Sequence, residues 1–212
     1  MNSLKVYFYQ FYETIAESGL KYALSQMFYI RKKAAVLLER NLEDFNPVSA
    51  KQNQQDVRLV SLGNNNFRSL GLSYPLKNRY FKAISNLKEG YQGYCLVRGN
   101  EVIGDLWCSF ATPGAAVHPD IKLLGISLGE KEVYGYDMYI PMKERGNASI
   151  ASLLLGGALN DLKSKGYKNL KCYVMADRLP ALWLHRVLGF KEFGRIETQR
   201  VLSYRQFKPV NN

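Results

Sequence analysis

The chain has 212 residues, 47% of them hydrophobic and 22% charged, and its 29 Lys and Arg against 18 Asp and Glu leave a formal net charge of +11. Such a composition describes an ordinary soluble globular protein of one domain, or one domain with an appendage, and no stretch approaches the roughly 20 apolar residues of a membrane-spanning helix. The excess positive charge suits anionic partners, whether the phosphates of a ligand, an acidic substrate or an anionic membrane face, and does not choose among them.

In chain order, Leu4 to Arg31 carry apolar and aromatic residues at spacings of three and four, which predicts one or two amphipathic helices broken near Ser18-Gly19. Two readings of this segment are open. Its apolar face packs on the rest of the chain or on a second subunit, or, followed by Arg31-Lys-Lys33, it rests on an anionic bilayer surface. The segment has no charged region leading into an uninterrupted apolar run and a cleavage site, so no secretory leader is expected. Ala34-Ala-Val-Leu-Leu38 reads as a short strand, and Asn46 to Gln55, without periodicity, as a linker. Val57-Arg-Leu-Val-Ser-Leu62 alternates as a strand does, and Asn64 to Leu87 is helical in pattern around a break at Pro75.

Gly93 to Val97 and Val102 to Ser109 predict a hairpin turning at Gly99-Asn100, two residues that tolerate positive φ. Thr112 to Glu132 is irregular, with a short strand expected over Leu123 to Leu128 and with His118 read as a surface residue. Glu192 to Arg195 and Thr198 to Tyr204 predict a closing strand pair, and the last residues are expected to fray. Cys95, Cys108 and Cys172 lie in apolar strand patterns, odd in number and without zinc-site spacing; buried thiols of a reducing compartment are expected, with no metal site and no disulfide framework.

The most informative stretch runs from Val133 to Phe190. Strand Val133 to Ile140, bounded by Pro141, leads into the basic, small-residue turn Lys143-Glu-Arg-Gly-Asn-Ala-Ser149. A helix follows, with Ile150, Leu153, Leu154, Ala158 and Leu162 on one face and Gly166 as its stop. Asn169 to Met175 is a second strand, and Pro180 opens a short helix carrying Trp183, His185 and Leu188 before Gly189-Phe190. A strand feeding a helix through a tight turn exposes unpaired N–H groups at the positive end of the helix dipole. Small residues at Gly146, Ala148 and Ser149 let a ligand approach the backbone, and Arg145 adds a full positive charge. A pyrophosphate fits.

Ile140 to Leu154 resembles motif A of the GNAT superfamily of acyl-CoA N-acyltransferases, with Arg145-Gly146 matching the start of its pyrophosphate turn. Ala176-Asp-Arg-Leu-Pro-Ala-Leu-Trp-Leu-His-Arg-Val-Leu-Gly-Phe190 resembles motif B. The chain departs from the pattern at Ala148 and Ile150 in place of small motif residues, at Arg178 in place of Asn, and at His185 in place of the Tyr that protonates the leaving thiolate.

The resemblance implies an α/β GNAT-like fold, a mixed twisted central sheet flanked by helices and splayed between strands 133–140 and 169–175. It would occupy residues 55–212, with 1–54 as an N-terminal helical and strand extension and linker. It implies acetyl transfer from acetyl-CoA to a primary amine of a small molecule in a ternary complex, in the cytoplasm or at a membrane periphery. Met138, Tyr139 and Ile140 would hold the pantetheine and polarise the thioester, and Arg145, Gly146, Asn147, Ala148, Ser149 and Ile150 would hold the pyrophosphate. For catalysis the candidates are His185 and Asp137. An imidazole can give a proton to a thiolate near neutral pH, although His185 could instead face solvent beside a core or cofactor-edge Trp183. Asp137 could act as the base, or bind the acceptor ammonium or a neighbouring strand, because alternation sets it opposite Met138. Tyr134, Tyr136 and Tyr139 serve an acceptor cleft or simple packing. A catalytically silent CoA-binding module and a membrane-surface interaction protein are the alternatives; a homodimer stays open, and dispersed Lys and Arg give no expectation of nucleic acid.

Overall fold

The period-two alternations and short apolar runs become strands, and the three- and four-residue spacings become the helices that cover them. The computed structural model describes residues 2–27, 33–46, 56–111, 117–145, 148–201 and 204–209. The elements are α1 (Asn2–Ser18), α2 (Leu20–Met27), β1 (Lys33–Asn41), β2 (Val57–Leu62), α3 (Lys77–Lys88), β3 (Gln92–Arg98), β4 (Glu101–Phe110), α4 (Pro119–Leu123), β5 (Glu132–Tyr139), α5 (Met142–Arg145), α6 (Ala148–Ser164), β6 (Asn169–Met175), α7 (Leu179–Val187), β7 (Lys191–Val201) and β8 (Tyr204–Pro209). The strands form one sheet in the order β2-β3-β4-β5-β6-β1-β7-β8, antiparallel except for the pair β5 and β6. The mixed sheet flanked by helices is the expected α/β class.

Each face of the sheet has its own core. On one, α6 buries Ile150, Leu154, Leu155, Ala158, Leu159 and Leu162, none more than 1% exposed, together with Leu182, Leu184 and Leu188 around α7. On the other, Ala83 and Leu87 of α3 and Ile121 and Leu124 around α4 pack with Trp107, Tyr134 and Tyr136. Strand β1 shows why its sequence is an unbroken apolar run. Val36 and Leu38 enter the first core while Ala35 and Leu37 enter the second, so both faces are covered. It is hydrogen-bonded to β6 on one edge and β7 on the other. A division at residues 54/55 would therefore cut through the sheet.

The first helix packs on α3. Tyr9 stacks on Phe81 with ring centroids 5.4 Å apart, and Glu13 Oε1 accepts from the Lys77 backbone N–H at 2.9 Å. Leu76, the residue before α3, offers no side-chain cap, so the carboxylate of Glu13 serves the positive end of α3 from a distant part of the chain. The opposite side of α1 leaves Phe8 and Tyr12 exposed. Among the described residues no helix is long and apolar enough to cross a membrane.

Several expected elements differ: Thr198 to Val201 continue β7 rather than opening the second strand of the closing pair, and Lys143 to Arg145, expected in a turn, lie in the short helix α5. Leu123 to Leu128 is not a strand: Pro119 starts α4, His118 Nδ1 caps it by accepting from the Asp120 N–H at 3.2 Å, and a turn and coil follow. Of Asn64 to Leu87, only the part from Lys77 is helical. Before it, Asn66 Oδ1 accepts from the Gly63 N–H and its Nδ2 donates to Ser61 O, both at 2.9 Å, so side-chain bonds hold a turn instead. Gly99, at φ 58°, makes the β3–β4 turn as expected. The linker segment 47–55, the basic residues Arg31 and Lys32, and the terminal residues 210–212 lie outside the described residues.

Candidate active site

The parallel ladder between β5 and β6 holds only three pairs, Glu132 with Asn169, Val133 with Leu170 and Tyr134 with Lys171, although both strands continue. Beyond Tyr134 the strands part, and the edge of β5 facing β6 runs on without that neighbour. This is the splay expected between strands 133–140 and 169–175.

On its other edge β5 pairs with β4, but Trp107 stands opposite Tyr136 and Asp105 opposite Tyr139. Asp137 and Met138 thus face Leu106 alone, which is a β-bulge. Asp137 sits there at φ 53°, the one described non-glycine residue with positive φ. Asp is among the few residues that tolerate this conformation, at a cost of order 1–3 kcal/mol. The bulge resets the alternation: Tyr136 lies in the α3-side core, Asp137 also turns to α3, and Met138 and Ile140 pack on the α6 side. Gly104 of β4 makes room for Ile140, whose Cδ1 would stand 2.7 Å from any Cβ placed there.

The Asp137 carboxylate is held by cations. Arg79 Nη1 donates to Oδ2 at 2.8 Å, and Lys82 Nζ lies 2.7 Å from the same oxygen. Arg79 also grips Asp105, with Nε donating to Oδ2 at 3.2 Å and Nη2 to Oδ1, and its Nη2 reaches the Asp137 carbonyl at 3.3 Å. Its guanidinium lies 4.9 Å from the centre of the Tyr139 ring. Burial alone would raise the Asp137 pKa, but Arg79 and Lys82 outweigh it and hold the group at about 2. A carboxylate so held is a weak base at neutral pH. Arg79, Lys82 and Asp105 carry no motif and were missed from sequence. The available signal was Asp105 itself, a carboxylate inside the otherwise uncharged run Val102 to Phe110, which needs a cation if that strand is buried.

After Pro141, the short helix α5 precedes the longer α6. Gly146 and Asn147, between them, lie outside the described residues. Arg145 is exposed, donates from Nε to Ile140 O at 2.9 Å, lies 5.7 Å from the Tyr139 ring centre, and has no carboxylate partner among the described residues. Its neighbours are neutralised: Lys143 pairs with Glu101, and Glu144 with Arg98 at 2.8 Å. One full positive charge therefore stands beside the first turn of a 17-residue helix whose leading N–H groups have no intrahelical partner. Ser149 is exposed, and Ile150 is wholly buried, so the latter can offer a ligand its backbone only.

His185 does not face solvent. It is 7% exposed, its Nδ1 lies 2.7 Å from Ala181 O one turn earlier, and its ring meets Phe190 edge-on at 4.8 Å. A carbonyl can only accept, so Nδ1 carries the proton and Nε2 is the acceptor of the neutral ring. Burial pushes the His185 pKa down, against a smaller opposing effect of the Ala181 bond. Trp183, expected in the core or at a cofactor edge, is 59% exposed. His118 is not a surface residue either: its ring packs 4.0 Å from that of Tyr136 and 5.6 Å from that of Tyr134. Tyr134 and Tyr136 thus serve packing on the α3 side. All three cysteines are buried free thiols, and burial pushes the Cys108 pKa up to about 12.

No family model and no curated protein matches the chain. Solved structures do. The GCN5-related glucosamine N-acetyltransferase region of a fungal multi-domain GH3 β-N-acetylglucosaminidase superposes with TM-score 0.54 at 13% identity, over 90% of this chain and 22% of that one. A GNAT-family protein from Novosphingobium aromaticivorans gives 0.52 at 12% identity, over 86% and 67%. A GNAT-family acetyltransferase from Colwellia psychrerythraea gives 0.50 at 12% identity, over 91% and 63%. The chain therefore has the GNAT fold, and it spans between 22% and 67% of the length of these three chains.

Proposed function

We propose that the protein is an acyl-CoA-dependent N-acetyltransferase, passing an acetyl group from acetyl-CoA to a primary amine of a small molecule by direct attack in a ternary complex. The observation that carries this reading is the parting of β5 from β6 after Tyr134 and Lys171, while β5 runs on, bulged, to Tyr139. A strand edge without its neighbour accepts an extended chain by hydrogen bonding, and pantetheine, with two amides, is such a chain.

In this reading the backbone of Met138, Tyr139 and Ile140 holds the pantetheine and polarises the thioester carbonyl through those of its N–H groups that alternation turns toward the gap. Arg145 and the backbone from Gly146 through Asn147, Ala148 and Ser149 to Ile150 hold the pyrophosphate, the helix dipole of α6 adding to the Arg145 charge. Asp137 anchors the strand, and the proton that the attacking amine loses passes to solvent. His185 is the candidate proton donor to the departing thiolate, a role it fills only as imidazolium protonated from solvent at Nε2, whereas its burial favours the neutral ring. The excess positive charge of the chain favours neutral or acidic amines over polycations.

A non-catalytic CoA-binding module is the second reading, favoured by one observation: both candidate proton-transfer groups are engaged, Asp137 by two cations and His185 by its own helix. Calorimetric titration with acetyl-CoA, in wild type and Arg145→Glu, tests the cofactor assignment. The variant should bind about tenfold to a hundredfold more weakly, the loss of one or two charge-assisted hydrogen bonds. A thiol-release assay over amino sugars, amino acids and polyamines then separates enzyme from silent binder. A folded wild type that binds neither acetyl-CoA nor longer acyl-CoAs would remove both readings.

A further inference from the structure

Successive N–H groups along a strand point to opposite edges, so a slip of one residue turns every donor and every side chain the other way. The bulge at Asp137 is such a slip, built in. Were Asp137 to relax from φ 53° to an extended conformation, Met138 and Ile140 would exchange faces with Tyr139, and the N–H groups proposed to face the gap beside β6 would turn away from it. Something must hold the slip in place.

The side chain that reaches it comes from α3. Arg79 bridges both strands of the bulged pair: two of its nitrogens donate to Asp105 of β4, a third to the Asp137 carboxylate, and Nη2 also to the Asp137 carbonyl, the backbone of the left-handed residue itself. The guanidinium is 7% exposed and lies over Tyr139, inside the same segment. Lys82 shares the Asp137 carboxylate from a half-exposed position, and its contact there is to the carboxylate alone. A planar fork is required to span two strands, and an ammonium does not supply one. Arg79 is itself fixed from behind, because α3 is capped by Glu13 and stacked by Tyr9 of α1.

We propose, on the basis of the acetyltransferase reading, that Arg79 is the positioning residue of the thioester-polarising strand: by clamping Asp105 and Asp137 together it sets the bulge and hence which of the Met138 to Ile140 N–H groups point to the gap beside β6. It touches neither acetyl group nor amine. Its effect is on polarisation of the carbonyl, separate from the grip on pyrophosphate at Arg145.

The test uses acetyl-CoA labelled with 13C at the acetyl carbonyl and needs no acceptor. The carbonyl infrared band and 13C shift report hydrogen bonding to that oxygen, and calorimetry on the same samples reports affinity. Wild type should bind and lower the carbonyl stretching frequency. Arg79→Lys should still bind through the pyrophosphate turn, with Kd raised no more than about tenfold by the lost pantetheine hydrogen bonds, and lose most of that displacement. Asp137→Ala, which leaves the Arg79–Asp105 pair to support folding, should do the same, whereas Asp137→Asn, which tolerates positive φ and keeps an oxygen for Arg79, should retain it. A wild type that binds acetyl-CoA with a displaced band, matched by a band equally displaced in folded Arg79→Lys or Asp137→Ala, overturns the role of Arg79 alone. Absence of binding by wild type overturns the transferase reading and this proposal with it.

Discussion

The two faces of the sheet are built from different materials. Toward α6 and α7 the core is aliphatic around Phe45, Tyr94, Phe110 and Phe190, and His185 is the buried ionisable group at α7. Toward α3 and α4 apolar residues border a charged network of Arg79, Lys82, Asp105 and Asp137 beside the packed rings of His118, Tyr134 and Tyr136. β5 belongs to both, and its bulge is where the residues change sides. The difference teaches a division of labour: an apolar face tolerates small errors of packing, while a buried charge network fixes one geometry because every departure strands a charge.

Asp105→Ala should produce the largest effect on stability. It leaves the buried Arg79 with half its partners and should cost about 4 kcal/mol, read by urea unfolding. A loss under about 1 kcal/mol would mean the α3 face is no more exacting than an ordinary surface. On the α6 face, Leu154→Ala should cost about 3 kcal/mol through lost burial and a residual cavity, with acetyl-CoA affinity unchanged if the fold holds. Next, Glu13→Ala removes the borrowed cap of α3 and should cost about 1 kcal/mol, measured in the same way. An unchanged midpoint would show that the Glu13 cap contributes nothing to holding α3.

A last pair of variants distinguishes the faces by pH. The His185 pKa is lowered in the folded protein, so the neutral ring is favoured there; its contribution is complete above about 6.5 and is lost as pH falls through the folded value. The Asp137 pKa is depressed to about 2, so its contribution is present above about 3.9 and is lost as pH falls toward 2. Stability measured against pH should therefore lose its upper slope in His185→Phe and its lower slope in Asp137→Asn. One variant removing both slopes would show that the two faces titrate as a unit.

Much of the scaffold was legible in the chain. Val57 to Leu62, the Gly99-Asn100 hairpin, the apolar stripe of α6 and the order of strand, long helix and strand from Val133 to Met175 follow from alternation, helical spacing and turn chemistry, all of which are local, whereas Lys143 to Arg145, read as part of a turn, are the helix α5. Where local signals competed, the reading slipped. Leu123 to Leu128 is apolar enough for a strand, yet Pro119 and the His118 cap make the preceding residues a helix and the rest its tail. The short run Ala34 to Leu38 announced a buried strand but could not announce its neighbours.

By itself, the sequence determined that this chain would fold as an α/β sheet with basic residues ahead of a long helix, because periodicity acts over a few positions. Only the tertiary structure decided that β1 would enter between β6 and β7, that Asp137 would be held by cations from α3, and that His185 would be buried. Those outcomes depend on charges and surfaces brought together from distant parts of the chain, as Arg79 is brought to Asp137 across 58 positions.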